Sequence, residues 1–156
     1  MALSVGTQAP EFTLLNTEKE PVSLSSFKGQ KVALIFFPAA FTGVCEAELC
    51  AVRDGMTRLN GANTAVLAIS ADSPFANGGF KKVNGFDFPL LSDMDLATIK
   101  AYDIPFEGFA GIEGFTRSER AVFVLDADHV IQYVEVTANP GVEPDYDALF
   151  AAVEKI

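Results

Sequence analysis

Three short apolar runs stand out along the chain: KVALIFFP (31–38), TAVLAIS (64–70) and RAVFVLD (120–126). Each is nearly continuous rather than alternating, which predicts strands covered on both faces of a sheet. VIQYVEV (130–136) alternates instead and predicts a half-exposed strand. The turn DADH (126–129) joins it to the preceding run as a β-hairpin. Ahead of Lys31, EFTLLN and PVSLSSF predict a short N-terminal hairpin.

Helical spacing fills the gaps. Val44, Leu49, Val52, Met56 and Leu59 recur every three to five residues and predict one helix over 43–60. Further helices are predicted at 73–83, weakened by Gly78 and Gly79, at 95–103, and at 143–156. The last carries Pro144 early, acids in its first turn and Lys155 near its end. IPFEGFAGIEGFTRSE (104–119) mixes glycine with phenylalanine and reads as a long loop of the kind that often carries function. The resulting order β-β-β-α-β-α-β-α-β-β-α predicts an α/β domain with a central mixed sheet flanked by helices. Ligands of such sheets sit beyond the carboxyl ends of strands, and the strand at 31–38 runs directly into PAAFTGVC.

Composition narrows the possibilities. The 156 residues suit a single domain spanning 1–156, and 49% hydrophobic content gives it a core without metal or disulfide staples. A net charge of −10, with no cluster of basic residues, argues against nucleic-acid partners and anionic membranes. No apolar run reaches the roughly 18 residues of a membrane span. The N-terminus lacks the pattern of a signal peptide, so a cytoplasmic, reducing setting is expected. There, two nearby cysteines point to redox or metal chemistry. Cys45, Cys50 and a distant His129 offer too few ligands for a closed zinc site, and no cofactor is expected. His129 itself reads as a solvated turn residue rather than a catalytic base.

FFPAAFTGVCEAELC (36–50) holds both cysteines. With Thr42 near the helix N-cap, Cys45 falls in the first turn, where unpaired N–H groups and the helix dipole favour an anion. A thiolate is the nucleophilic form of cysteine. Glu46 and Glu48 oppose that charge, so a cation must come from another segment. On these grounds alone two readings stand together: a reactive thiol, or a small inert hydrophobe. The neighbours divide in the same way. Pro38 ends a strand or shields the thiol. Thr42 caps a helix or contacts substrate. Glu48 and Arg53 are solvated charges or site residues, and Arg120 is an edge-strand cation or the missing counter-charge.

The string P38-AAF-T42-GV-C45 resembles the Pro-x-x-x-Thr-x-x-Cys motif of the peroxiredoxins. Glu48, the pair Arg53–Asp54, R120-AVFVLD, GTQAPEFTL at the start and FPLLSD (88–93) fit the same pattern in the same order. The resemblance covers essentially the whole chain. FFPAAFTGVCEAEL is most similar to the alkyl hydroperoxide reductase E type, and the C-x4-C spacing to the bacterioferritin-comigratory, or Q, type. It implies a thioredoxin-like fold and a thiol peroxidase acting on hydrogen peroxide and organic hydroperoxides. Cys45 would be the peroxidatic cysteine. Thr42, the Cys45 N–H and Arg120 would be donors to the peroxide, Glu48 the partner of Arg120, and Pro38 the shield. The family arginine precedes the strand phenylalanine by three residues, which selects Arg120 over Arg117.

The resemblance also implies that Cys50 is the resolving cysteine, recycled by thioredoxin or a similar dithiol. Five residues along an α-helix separate Cα atoms by about 8.6 Å, whereas a disulfide tolerates about 7 Å. Resolution through Cys50 therefore requires the helix start to unwind, which Gly43 and Val44 make less costly. The competing expectations are a one-cysteine peroxidase served by an external thiol and a thioredoxin-fold binding or chaperone module. C-x4-C fits disulfide exchange of the thioredoxin type poorly. GFAGIEGF (108–115) is expected to line the active-site rim or a subunit contact, and an exposed phenylalanine in that loop would mark a homodimer interface. Phe36, Phe37 and Phe41 around the motif read as core or pocket wall.

Overall fold

The computed structural model describes residues 2–156. Seven strands form one sheet. Its centre is β3 (Lys31–Phe36), which pairs in parallel with β4 (Thr64–Ser70) and antiparallel with β8 (Ala121–Leu125). β4 pairs in parallel with β5 (Leu90–Ser92), and β8 forms the expected hairpin with β9 (Ile131–Val136). The N-terminal hairpin is β1 (Thr13–Leu15) with β2 (Pro21–Ser23), which adds to the edge through β5. PVSLSSF is only half strand, because Leu24–Phe27 turns into a 3-10 helix that buries Leu24.

The central strands are buried on both faces, as their continuous apolar character demands. Ala33, Ile35, Val66, Ala68, Val122 and Val124 face one helical layer. That layer consists of α1 (Gly43–Asp54), α2 (Met56–Gly61), α3 (Pro74–Asn84) and α5 (Tyr146–Lys155). Leu34, Phe36, Leu67, Ile69 and Phe123 face the opposite side, where α4 (Ala97–Ala101) and the N-terminal segment supply Ile99, Tyr102 and Phe12.

Several features differ from expectation, each for an identifiable reason. The helix expected over 43–60 divides at Gly55 into α1 and α2. Phe150 of α5 packs there so closely that a Cβ on Gly55 would lie 2.2 Å from its ring. α5 begins at Tyr146 because the Asp145 side chain accepts from the Ala148 N–H, so Pro144 lies ahead of the cap rather than within the helix. α3 holds despite its two glycines, capped by Ser73 and ended by left-handed Gly85. α4 is shorter than expected, and buried Asp93 accepts from the N–H groups of Thr98 and Ile99 at its start. The 104–119 loop contains a two-residue ladder of β6 (Pro105–Phe106) with β7 (Arg117–Ser118). His129 sits in the β8–β9 turn but is buried, not solvated: its Nε2 lies 3.0 Å from the Phe27 carbonyl oxygen.

Candidate active site

Sheet register brings three distant segments to one end of the domain. β3 pairs with β8 so that Phe36 opposes Ala121, and β8 pairs with β9 so that Ala121 opposes Val136. The residues just beyond these pairs are Phe37–Pro38, Arg120 and the 137–141 turn. Pro38 has no N–H to continue the ladder, and the chain leaves the sheet there. It turns through Phe41, whose φ of 65° is left-handed, and enters α1.

The helix start has the expected form. Thr42 is extended at the N-cap, and Glu46 N–H donates to its carbonyl. Gly43, Val44 and Cys45 therefore have no carbonyl one turn back, and their N–H groups are free of the helix ladder. The Thr42 hydroxyl does not cap the helix. It donates to the Ala39 carbonyl at 2.8 Å. With its proton so engaged, the Thr42 oxygen is left with lone pairs, whereas the sequence expectation was a donor to peroxide.

The cation that the acids of α1 demand is Arg120. It is 2% exposed, and its Nη2 donates to Cys45 Sγ at 3.1 Å. Nη1 donates to Glu48 Oε1 at 3.0 Å, and Nε and Nη2 donate to the Pro140 carbonyl at 3.0 and 2.7 Å. Cys45 and Glu48 are both fully buried. One guanidinium is thus shared by a thiol and a carboxyl, and the 137–141 turn fixes its orientation. Burial pushes the Glu48 carboxyl up to about 8, against the opposing pull of Arg120. Its second oxygen, Oε2, has no hydrogen-bond partner among the described residues. A carboxyl placed so holds its proton more tightly, which leaves more of the Arg120 charge for the sulfur.

Arg117 also converges on the site, but on its frame. Its Nε donates to the Pro38 carbonyl at 2.7 Å, and its Nη2 lies 2.5 Å from Asp72 Oδ1. Asp72 Oδ2 in turn accepts from Ala40 N–H and the Ser70 hydroxyl, each at 2.8 Å. The pair pins the loop that delivers Thr42 and Cys45. Asp72 and Pro140 carried no signal in the sequence. Arg117 stood beside Arg120 in TRSER, and the two make separate contacts: Arg117 with Pro38 and Asp72, Arg120 with Cys45, Glu48 and Pro140.

A cavity of about 370 Å³ opens over this cluster, lined by Thr42, Gly43, Val44, Arg120 and Pro140 and by the Phe106–Gly111 stretch. The 104–119 segment thereby forms the rim of the site. Cys45 and Cys50 are both free thiols, and both lie on the continuous helix α1. No helix among the described residues is long and apolar enough to cross a membrane.

A mixed sheet with a buried cysteine at the start of the helix after its central strand, faced by an arginine from a neighbouring strand, defines a thioredoxin-like thiol enzyme. The profile of the AhpC/TSA family matches residues 5–134, and the chain belongs to that family. It is 39% identical over 142 residues to alkyl hydroperoxide reductase E of Mycobacterium tuberculosis, covering 89% of this chain and 88% of that one. It is 37% identical over 134 residues to a putative peroxiredoxin bcp of Coxiella burnetii, covering 86% and 89%. Among solved structures, the peroxidoxin BcpB of M. tuberculosis superposes with a TM-score of 0.85 at 27% identity, covering 97% of both chains. A peroxiredoxin-like protein from Aquifex aeolicus superposes with a TM-score of 0.88 at 25% identity, covering 99% of this chain and 88% of the other.

Proposed function

We propose the following division of labour for this thiol-dependent peroxidase. The Cys45 thiolate attacks the terminal oxygen of hydrogen peroxide or an organic hydroperoxide. An S–O bond forms, the O–O bond breaks, and the leaving oxygen takes a proton to depart as water or an alcohol. Cys45 is left as a sulfenic acid. The observation that carries this reading is the 3.1 Å contact between Arg120 Nη2 and Cys45 Sγ in a buried site. The guanidinium stabilises the thiolate and then the charge that develops on the peroxide oxygens, with the Cys45 N–H as a second fixed donor. Thr42 accepts the hydroperoxide's own O–H. Glu48 and Pro140 hold Arg120 in its plane, and Pro38 covers the thiol. The apolar rim at Phe106 and Phe109 suits an organic peroxide.

In this reading Cys50 then attacks the Cys45 sulfur, and a thioredoxin-like dithiol reduces the resulting disulfide in a reducing, cytoplasmic setting. A second copy of the chain belongs to the reading too, since Phe41 beside the motif is 55% exposed. A one-cysteine cycle with an external thiol is the second reading. It is favoured by the position of both thiols on an unbroken helix.

Stopped-flow oxidation of wild type, Cys45→Ser and Cys50→Ser tests these roles. Cys45→Ser is expected to lose the fast reaction. Cys50→Ser is expected to keep it and to lose turnover with thioredoxin. Fast reaction in Cys45→Ser overturns the assignment, and full thioredoxin turnover in Cys50→Ser selects the one-cysteine cycle.

A further inference from the structure

Cys50 is a group that peroxide reduction itself does not use, and its surroundings are specific. Its thiol donates to Asn84 Oδ1 at 3.8 Å. Arg53 lies three residues further along α1, on the same helix face. Its Nη1 donates to the carbonyl of that same Asn84 at 2.5 Å. Asn84 is itself fixed: its Nδ2 donates to the Phe80 carbonyl at 3.1 Å, and Gly85 closes α3 just after it. Cys50 and Arg53 thus converge on one anchored residue at the end of α3.

We propose that Arg53 is a positioning residue for the second half-reaction, holding the Cys50 end of α1 against Asn84 while the Cys45 end unwinds toward it. The inference rests on the two-cysteine reading above. The step is balanced. The Cys50 thiol gives its proton to solvent, and its sulfur then attacks the Cys45 sulfenic acid. The S–S bond forms, the S–O bond breaks, and hydroxide leaves and is protonated to water. The oxidant is the hydroperoxide already consumed at Cys45.

Arg53 Nε also donates to Asp54 Oδ1 at 3.1 Å, so one guanidinium joins the last turn of α1 to the end of α3. The anchor also assigns the movement. With the Arg53 end of α1 tied to α3, the unwinding that a disulfide requires falls on Gly43–Leu49. Cys45 travels and Cys50 waits.

The test compares wild type, Arg53→Lys and Arg53→Met after one equivalent of hydrogen peroxide. Samples are quenched with an alkylating agent, and the Cys45–Cys50 disulfide is counted by mass spectrometry. Small misplacements of a reacting group are costly, so Arg53→Met is expected to slow disulfide formation by about tenfold, with the preceding Cys45 oxidation unslowed. Arg53→Lys, which can still donate to the Asn84 carbonyl, is expected to restore most of the rate. Equal disulfide rates in wild type and Arg53→Met, or no rescue by Arg53→Lys, overturn the role of Arg53. If wild type forms no Cys45–Cys50 disulfide, the two-cysteine reading fails, and the resolving role falls with it.

Discussion

Arg120 Nη2 donates to Cys45 Sγ across 3.1 Å, although 75 residues separate the two in sequence. The guanidinium carries four hydrogen bonds in all, to Cys45, Glu48 and twice to Pro140, so its direction is fixed before any peroxide arrives. Fixed donors in a buried site stabilise developing charge without reorganisation. Arg120→Met should lower the second-order rate of Cys45 oxidation by about 10² to 10³, the cost of removing one preorganised donor. Stopped-flow measurement with hydrogen peroxide checks this. Arg120→Lys should recover little, because an ammonium cannot reach sulfur, carboxyl and carbonyl from one planar fork. A rate for Arg120→Met within threefold of wild type would remove the guanidinium from the chemistry.

The shared guanidinium also makes stability depend on pH. Burial raises the folded-state Glu48 carboxyl from its ordinary 4.5 to about 8. Between those values the folded chain keeps a proton that the unfolded chain has lost. The contribution is therefore complete at acidic pH and is lost as pH rises through about 8. Urea midpoints of wild type should fall across that window. Glu48→Gln keeps a hydrogen-bond acceptor for Arg120 and has no proton to lose, so its midpoint should change less over the same range. Its Cys45 oxidation should stay within about tenfold of wild type, since it retains Arg120's charge for the sulfur. An unchanged pH slope in Glu48→Gln would assign the effect elsewhere.

These two residues show where the sequence was legible. The strand 31–38 announced itself because both faces are buried, and the motif from Pro38 to Cys45 lies within a single turn and helix start. Local chemistry demanded a cation near Cys45, but composition alone did not say which. The β3–β8 register supplies Arg120, and only the resemblance had selected it over Arg117. Asp72 was illegible because its partners Arg117 and Ala40 are tertiary neighbours. The split at Gly55 was illegible for the same reason, since its cause lies about a hundred residues away in Phe150. The β6–β7 ladder is only two residues deep and is hidden among glycines and phenylalanines, so no periodicity could mark it. His129, polar and in a turn beside Asp128, looked solvated, yet it is buried, with the Phe27 carbonyl at its ring and the N-terminal segment bonded to its backbone.

Gly55 gives a prediction about folding rather than chemistry. Its φ of −90° suits any residue, so strain would come only from contact. A Cβ there would sit 2.2 Å from Phe150 Cζ, and Phe150 is 8% exposed. Gly55→Ala should therefore destabilise the fold by about 1–3 kcal/mol through overpacking. Phe150→Leu should recover part of that loss by making room for the methyl. Chemical denaturation of both single variants and the double variant measures the coupling. Cys45 oxidation in the folded fraction should be unchanged. Additive effects in the double variant would mean that the ring and Gly55 do not share one space.

Arg117 and Asp72 should matter to catalysis without touching the sulfur. Arg117 holds the Pro38 carbonyl, and Asp72 holds the Ala40 N–H, one on each side of Ala39. The Ala39 carbonyl in turn takes the Thr42 hydroxyl proton. Loosening this frame frees the Thr42 oxygen to rotate and lets the start of α1 drift, and small misplacements in a preorganised site are costly. Arg117→Met should reduce the peroxide rate constant by about tenfold, less than Arg120→Met, because the thiolate keeps its own cation. Asp72→Asn keeps one acceptor oxygen and should lie between wild type and Arg117→Met. Amide hydrogen exchange separates a frame defect from a chemical one: protection of the Ala40 and Glu46 N–H groups should drop in Arg117→Met and persist in Arg120→Met. Loss of rate in Arg117→Met with full protection at both amides would mean that Arg117 acts on the peroxide directly, and the two arginines would then share one task.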